Sequence, residues 1–389
     1  MSTTAPRVSS ARDYVLRQGE RPLNLGLNDG TWAPQAVVDA LDLFRDRLAF
    51  RNYTRADNDE VRAVIAEVDG VSPRHVFLAN GSGPILKQCV PWIVRDAIKS
   101  SPLRIARHLL AKNGFPIVTP AHTYSKVPRK ASDLGLTVRF VPLTPESGFK
   151  LDLDALEGHL RRQDSFVYVA NPNNPTGNVL VTRAQLEPLL VRYPKSRFWI
   201  DEAYVHYVDP AEHQYFSELV PKYPNLLVSR TMSFAYGLAG LRIGYLLCAP
   251  ELVKTFEAQL TDYRLGSLQE AAAIAALRDT EHLPFVRAQT SKWAGFLRRE
   301  LNRQPGVQAF PTQANFVFAR FTNGKPAASL VKSLEGHGIL IKAFNPIADQ
   351  RYDEYFRITV GLEQENRRVM AAIAQVLGGP TPSEDEPTP

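Results

Sequence analysis

Residues 165–178 read SFVYVANPNNPTGN. The first six form a short apolar run, bounded by turn residues, and such a run predicts a buried strand. The next eight cluster Asn and Pro ahead of a Gly. That composition predicts a rigid turn, because Pro fixes φ, Asn bonds its own backbone and Gly accepts positive φ. A rigid turn at the carboxyl end of a strand sits where open α/β sheets bind ligands.

The same pattern extends on both sides. HVFLAN (75–80), FPIVTP (115–120), LTVRFV (136–141), RFWI (197–200), NLLVSR (225–230) and IGYLLC (243–248) read as further strands. Helix-like segments at Pro84–Ser100, Leu153–Arg162 and Arg183–Tyr193 lie between several of them. Strands alternating with helices predict an α/β fold, a mainly parallel sheet with helices on both faces. One long amphipathic stretch, about Gln269–Asn302, is expected to run from this domain toward the next. After Asn302 the strand-like VQAF, NFVFAR, ILIKAF and YFRITV alternate with helical Lys325–Glu335 and Glu363–Leu377, the pattern of a smaller α+β domain. The expected division is an N-terminal arm (1–30), a large domain (31–302), a small domain (303–378) and a disordered, Pro-rich acidic tail (379–389).

Composition narrows the function classes. The formal net charge is +6, yet the signs are interspersed and no basic run is interleaved with aromatics, so no nucleic-acid partner is expected. The mild positive field favours small anions. Cys89 and Cys248 lie far apart in apolar stretches and lack metal-ligand spacing, so neither a disulfide nor a metal site is expected. No stretch reaches the length of a membrane span, and the first residues lack a signal-peptide core; a cytoplasmic protein is expected.

Three more segments carry polar groups that chemistry could use. ANGSGP (79–84) follows a strand and precedes a helix, so the backbone N–H groups of Ser82 and Gly83 suit an anion; a plain tight turn has the same composition. FWIDEAYVHY (198–207) ends a buried strand on Asp201, a costly place for a carboxylate unless it is paired. A structural Asp at a strand end would also satisfy that reading. SRTMSFAYGLAGLRIG (229–244) carries Arg242, which could be a surface charge, but the nearby glycines and apolar neighbours favour a buried guanidinium, a group that recognises phosphate by charge-assisted hydrogen bonds.

In this order, the four segments resemble the cofactor site of fold-type I enzymes that use pyridoxal 5'-phosphate. The nearest resemblance is to class I/II aminotransferases of the histidinol-phosphate type. LNLGLNDGTWAP (23–34), DGVSPRHVFLANGS (69–82), TPAHTYSKV (119–127), ANFVFAR (314–320) and YFRITVGLEQEN (355–366) extend it over most of the chain. The resemblance implies a seven-stranded, mainly parallel sheet sandwiched by helices, plus a smaller domain. It implies that Thr231, Ser233 and Arg242 hold the phosphate, with Ser82 and Gly83. Asp201 pairs with the pyridine nitrogen, Asn174 and Tyr204 reach the ring oxygen, and Tyr124 stacks on the ring. Arg357 clamps a substrate carboxylate, and Lys342 meets a second anionic group. Tyr53 reaches the partner's phosphate in a homodimer, although Thr54 follows it where the family commonly has Pro.

One position departs from the resemblance. Phe234 stands where the family carries the lysine that holds the cofactor and moves the substrate proton. A phenyl ring does neither. Noncovalent pyridoxal or pyridoxamine phosphate then becomes the expected cofactor, and His122, Lys126, Tyr124 or Tyr236 becomes the candidate proton carrier. Three function classes stay open: an enzyme of altered chemistry acting on an amino or keto acid, a non-catalytic ligand- or partner-binding paralogue, and a cofactor-independent enzyme reusing the pocket.

Overall fold

Strict alternation of side chains explains why the central strands read as unbroken apolar runs. In the strand Phe166–Ala170, Phe166, Tyr168 and Ala170 pack into one core cluster, and Val167 and Val169 into another. Both faces of the sheet are therefore covered, as a mainly parallel sheet requires. The computed structural model describes residues 22–43, 54, 58–111, 114–259, 265–344 and 352–384.

In chain order the strands are β1 (Leu23–Asn24), β2 (Val76–Ala79), β3 (Ile117–Pro120), β4 (Val138–Val141), β5 (Phe166–Ala170), β6 (Arg197–Asp201) and β7 (Leu226–Thr231). They continue as β8 (Gly244–Leu247), β9 (Val307–Ala309), β10 (Phe316–Phe321), β11 (Ile339–Leu340), β12 (Lys342–Ala343) and β13 (Tyr355–Thr359). The helices are α1 (Gln35–Asp42), α2 (Asp59–Val68), α3 (Ser82–Lys99), α4 (Pro102–Ala111), α5 (Lys126–Asp133) and α6 (Leu153–Arg162). They continue as α7 (Arg183–Arg192), α8 (Pro250–Glu257), α9 (Ser267–Arg278), α10 (His282–Asn302), α11 (Ala327–Glu335) and α12 (Glu363–Leu377).

Seven strands form the large sheet in the order β2-β8-β7-β6-β5-β3-β4. All neighbours are parallel except at β8, which runs antiparallel to both β2 and β7. This is the expected α/β sheet. A second, four-stranded antiparallel sheet has the order β12-β13-β10-β9 and its own core around Phe296, Phe356, Ile358 and Met370. The segment from Leu23 joins this second layer, because β1 pairs parallel with β11.

Two expectations are corrected. The stretch 269–302 is two helices. The chain breaks after Arg278, and the Asp279 carboxylate accepts from the backbone N–H groups of Glu281 and His282, capping α10. The tail predicted to be disordered from 379 is held as far as it is described, to Glu384. Gln304 donates to the Pro380 carbonyl, Arg367 to the Ser383 carbonyl, and the Ser383 hydroxyl to Glu300. Pro-rich, acidic composition does not preclude docking where fixed donors and an acceptor face the chain. No helix among the described residues is long and apolar enough to cross a membrane.

Candidate active site

Topology gathers the chemistry on one edge. The parallel strands β5, β6 and β7 end there, at Ala170, Asp201 and Thr231. β2 ends there as well. β8, being antiparallel, begins there: Gly244 pairs with both Ala79 and Thr231. So the turn after β5, the start of α3 and the Arg242 turn converge, although 163 residues separate Ala79 from Arg242.

At the β2–β7–β8 corner these pieces form a group of donors that could hold an anion, a candidate cradle. The Thr231 hydroxyl donates to Ser233 Oγ (2.9 Å) and accepts from the Ser233 N–H (3.1 Å). Arg242 Nη1 donates to Ser233 Oγ (3.3 Å) and to the Ala239 carbonyl (3.0 Å). α3 starts after Gly81 with no side chain capping its first turn, so its amino end faces this group. Two glycines make the approach possible. A Cβ on Gly81 would lie 2.4 Å from Arg242 Nη2, and one on Gly244 2.4 Å from the Ser82 nitrogen. The expected burial of Arg242 is not found: the residue is exposed. It sits in a left-handed backbone turn on the rim ahead of β8, not between the layers.

Asp201 is buried and fully held. Tyr168 Oη donates to Oδ2 (2.9 Å), and Ser229 Oγ donates to Oδ1 (2.8 Å). Trp199 Nε1 in turn donates to Ser229 Oγ (2.8 Å). Register explains the group: Ser229 lies opposite Asp201, and Tyr168 opposite Trp199 on the same sheet face. Burial pushes the Asp201 carboxyl upward, and donation from Ser229, Tyr168 and the Ala203 N–H opposes it.

The Asn/Pro turn is locked from within. Asn171 Oδ1 accepts from the Leu180 and Val181 N–H groups, and Asn173 donates to the His122 carbonyl and Thr176. This fixes Asn174, whose Nδ2 donates to Tyr204 Oη (3.1 Å) and whose Oδ1 accepts from Arg357 Nη1 (2.6 Å). Arg357 Nη2 donates to the Gly26 carbonyl (2.7 Å), its guanidinium lies over the Phe316 ring, and its Nε has no partner. Only 6% of Arg357 is exposed, so it is no solvent-facing strand charge. Tyr204 Oη accepts a second bond from Asn28 Nδ2 (2.9 Å), and burial pushes its hydroxyl up to about 12. Phe234 lies on Tyr204, ring centroids 4.6 Å apart and planes at 10°.

The flanking candidates separate. Tyr124 is half-buried near Asp201, Arg242 and Arg357; burial and the Asp201 charge push its hydroxyl up to about 12. Lys126 is exposed at the start of α5, its ammonium 5.4 Å from the centre of the Tyr124 ring. His122 is buried and stacks on Tyr352 (4.3 Å); its Nδ1 has no partner, and burial lowers it to about 4. Tyr236 lies apart from these groups, packed against His206 and His282. Lys342 pairs in register with Arg357, so both belong to one face of the second sheet, and Lys342 is exposed. Tyr53 lies outside the described residues.

Sequence reasoning missed Tyr168, Ser229 and Asn28. Tyr168 and Ser229 sit mid-strand, where only pairing register reveals that they meet Asp201. Asn28 lies 176 positions from Tyr204, and LNDG carries no signal for that contact.

The fold and this edge define a class of protein. The signature of the class I and II aminotransferases matches residues 22–373, and the chain belongs to that family, one of pyridoxal-phosphate-dependent transferases. The chain is 35% identical to the histidinol-phosphate aminotransferase of Anaeromyxobacter sp. (strain Fw109-5), over 97% of this chain and 100% of that one. It is 32% identical to the histidinol-phosphate aminotransferase of Gluconacetobacter diazotrophicus, over 96% and 97%. Among solved structures, the histidinol-phosphate aminotransferase from Sinorhizobium meliloti in complex with pyridoxal-5'-phosphate superposes with a TM-score of 0.77 at 25% identity, covering 96% of each chain.

Proposed function

We propose that this chain binds pyridoxal or pyridoxamine 5'-phosphate without a covalent link and acts on an amino or keto acid by altered aminotransferase chemistry. The observation that carries this reading is the Phe234 ring, next in the chain to Ser233 of the cradle, stacked on Tyr204, whose hydroxyl is held by the Asn174 that also holds Arg357. In our reading Phe234 takes the place of the family's cofactor lysine.

Three features fit the cofactor. The cradle of Thr231, Ser233 and Arg242 at the amino end of α3 suits a phosphate, with Ser82 and Gly83 N–H groups as further donors. Asp201, fixed by Tyr168 and Ser229, retains lone pairs for a pyridinium N–H. Tyr204 Oη accepts from two amides, which leaves its own proton to donate to the ring oxygen. When bound, the cofactor supplies an electron sink for the carbon next to the substrate nitrogen.

The chain's residues do the rest. Tyr124, half-buried near Asp201 and Arg242, would stack on the cofactor ring. Arg357 orients a substrate carboxylate, its direction fixed by Asn174 and Gly26, and Lys342 offers charge for a second anionic group. Phe234 excludes water from Tyr204 but carries no proton. We assign proton movement to Lys126 Nζ, beside Tyr124, over His122, whose imidazole is a weak base at about 4. With Phe234 in place of a lysine, this chain stands apart from the histidinol-phosphate reaction named for its relatives. We further propose a cytoplasmic homodimer, with Tyr53 offered to the partner's phosphate. Its division would be an arm to residue 30, a large domain over 31–302 and a small domain over 303–378.

The test is a titration of purified protein with pyridoxamine phosphate, followed by borohydride treatment in the presence of pyridoxal phosphate and peptide mapping. Saturable binding, with no label on the 229–244 peptide, is expected. Absence of affinity for either form would overturn the proposal.

A further inference from the structure

A second charged concavity lies at the opposite edge of the large sheet. The α3–α4 junction, the end of α6 and the α7–β6 link enclose a cleft of about 720 Å³. Arg104, Arg107, Arg161, Arg162, Lys195 and Arg197 line it, against one carboxylate, Asp164. That excess nearly equals the formal net charge of the whole chain, +6.

Two of these cations are accounted for. Arg104 is bonded to Asp164 (2.7 Å), and Arg161 to Glu157 (3.2 Å). The side chains of Arg107, Arg162, Lys195 and Arg197 make no hydrogen bond or ion pair among the described residues, although the Arg197 backbone N–H donates to the Ser165 carbonyl. Arg197 is half-buried, and its proton affinity is lowered by burial; the Asp96 field opposes this and Arg104 adds to it. Unpaired like charges turned into one concavity repel one another, and an anion spanning them relieves that repulsion. Leu103, Leu160 and Pro194 add apolar wall, and the volume falls in the small-molecule range of about 300–1,000 Å³. The lining holds no aromatic ring for stacking bases, which disfavours single-stranded nucleic acid. Arg197 and Asp201 are opposite ends of β6, about 13 Å apart along the strand at about 3.3 Å per residue, so the cleft is separate from the cofactor edge.

We propose that this cleft binds a polyphosphate anion, free or as the tail of a nucleotide-sized molecule, one per chain. Calorimetry on the full chain at low salt tests this with tripolyphosphate and with ATP. Saturable one-to-one binding that weakens as salt rises is expected, kept in Arg242→Gln, which silences the cofactor cradle. Arg162→Gln/Arg197→Gln is expected to weaken it at least tenfold. Should that variant fail to fold, Arg107→Gln/Lys195→Gln, two exposed sites, gives the same measurement. ATP tighter than tripolyphosphate assigns the nucleotide-sized ligand; equal affinity assigns the anion alone. No saturable binding, equal binding in the cleft variants, loss in Arg242→Gln, or binding of oligonucleotides or anionic vesicles without tripolyphosphate would overturn the proposal.

Discussion

The Phe234 ring lies flat on the Tyr204 ring, 4.6 Å between centroids, and the Tyr204 hydroxyl is held by Asn28 and Asn174. An apolar side chain thus packs against the most heavily hydrogen-bonded phenol of the site. The backbone around Phe234 is tightly confined: a Cβ on Gly30 would lie 1.9 Å from the Phe234 carbonyl. Position 234 is therefore fixed in place by its surroundings, whatever side chain it carries.

Phe234→Lys is expected to create a covalent anchor for pyridoxal phosphate. The measurement is a new absorbance band near about 420 nm, from the cofactor's own conjugation, that borohydride removes while labelling residue 234. A folded variant without affinity for the cofactor would show that the surrounding groups do not form its site.

Asp201→Ala is expected to weaken pyridoxamine phosphate binding by roughly 10- to 150-fold, the loss of a charge-assisted hydrogen bond of about 1.5–3 kcal/mol. Tyr168→Phe removes one donor to Asp201 and is expected to lower affinity by a smaller factor. Titration calorimetry on both variants decides the order. Equal affinities in wild type and Asp201→Ala would remove Asp201 from the site.

Gly81→Ala places a methyl group against Arg242 at a backbone φ of +90°. Both effects disturb the cradle, the backbone strain alone costing about 1–3 kcal/mol. Reduced affinity for pyridoxamine phosphate and a lower melting temperature are expected together. Unchanged affinity would place the phosphate elsewhere.

Stability is expected to carry a pH dependence from His122. Its folded value is about 4, against 6.5 for the ordinary group, because burial favours the neutral ring. Above pH 6.5 neither state holds the proton. Between 6.5 and 4 the unfolded chain takes up a proton that the folded chain refuses, so stability falls as pH falls, by about 3 kcal/mol at most. Denaturant unfolding of wild type and His122→Phe at pH 7 and pH 5 checks this. The variant should lose less stability on acidification.

Arg230 is buried between Asp69 and Glu202, bonded to both, one strand from Asp201. Arg230→Met strands two buried carboxylates and is expected to cost about 3–5 kcal/mol. A melting temperature within a few degrees of wild type would contradict this.

The sequence by itself determined the layers and the stations of the site. Unbroken apolar runs at β5, β6 and β7 specify strands buried on both faces, and the Asn/Pro turn, Asp201 and the Ser229–Gly244 segment each follow such a run. Local composition suffices there because strand burial and turn geometry are short-range properties of the chain. Only the tertiary structure decided which of these groups meet. The reversed β8 brings Arg242 onto Gly81, register sets Ser229 and Tyr168 on Asp201, and packing of the second sheet turns Arg357 inward onto Asn174. The burial expected for Arg242 failed for the same reason. Whether a side chain ends on a rim or between layers depends on strand order and direction, which neighbouring residues in the chain do not encode.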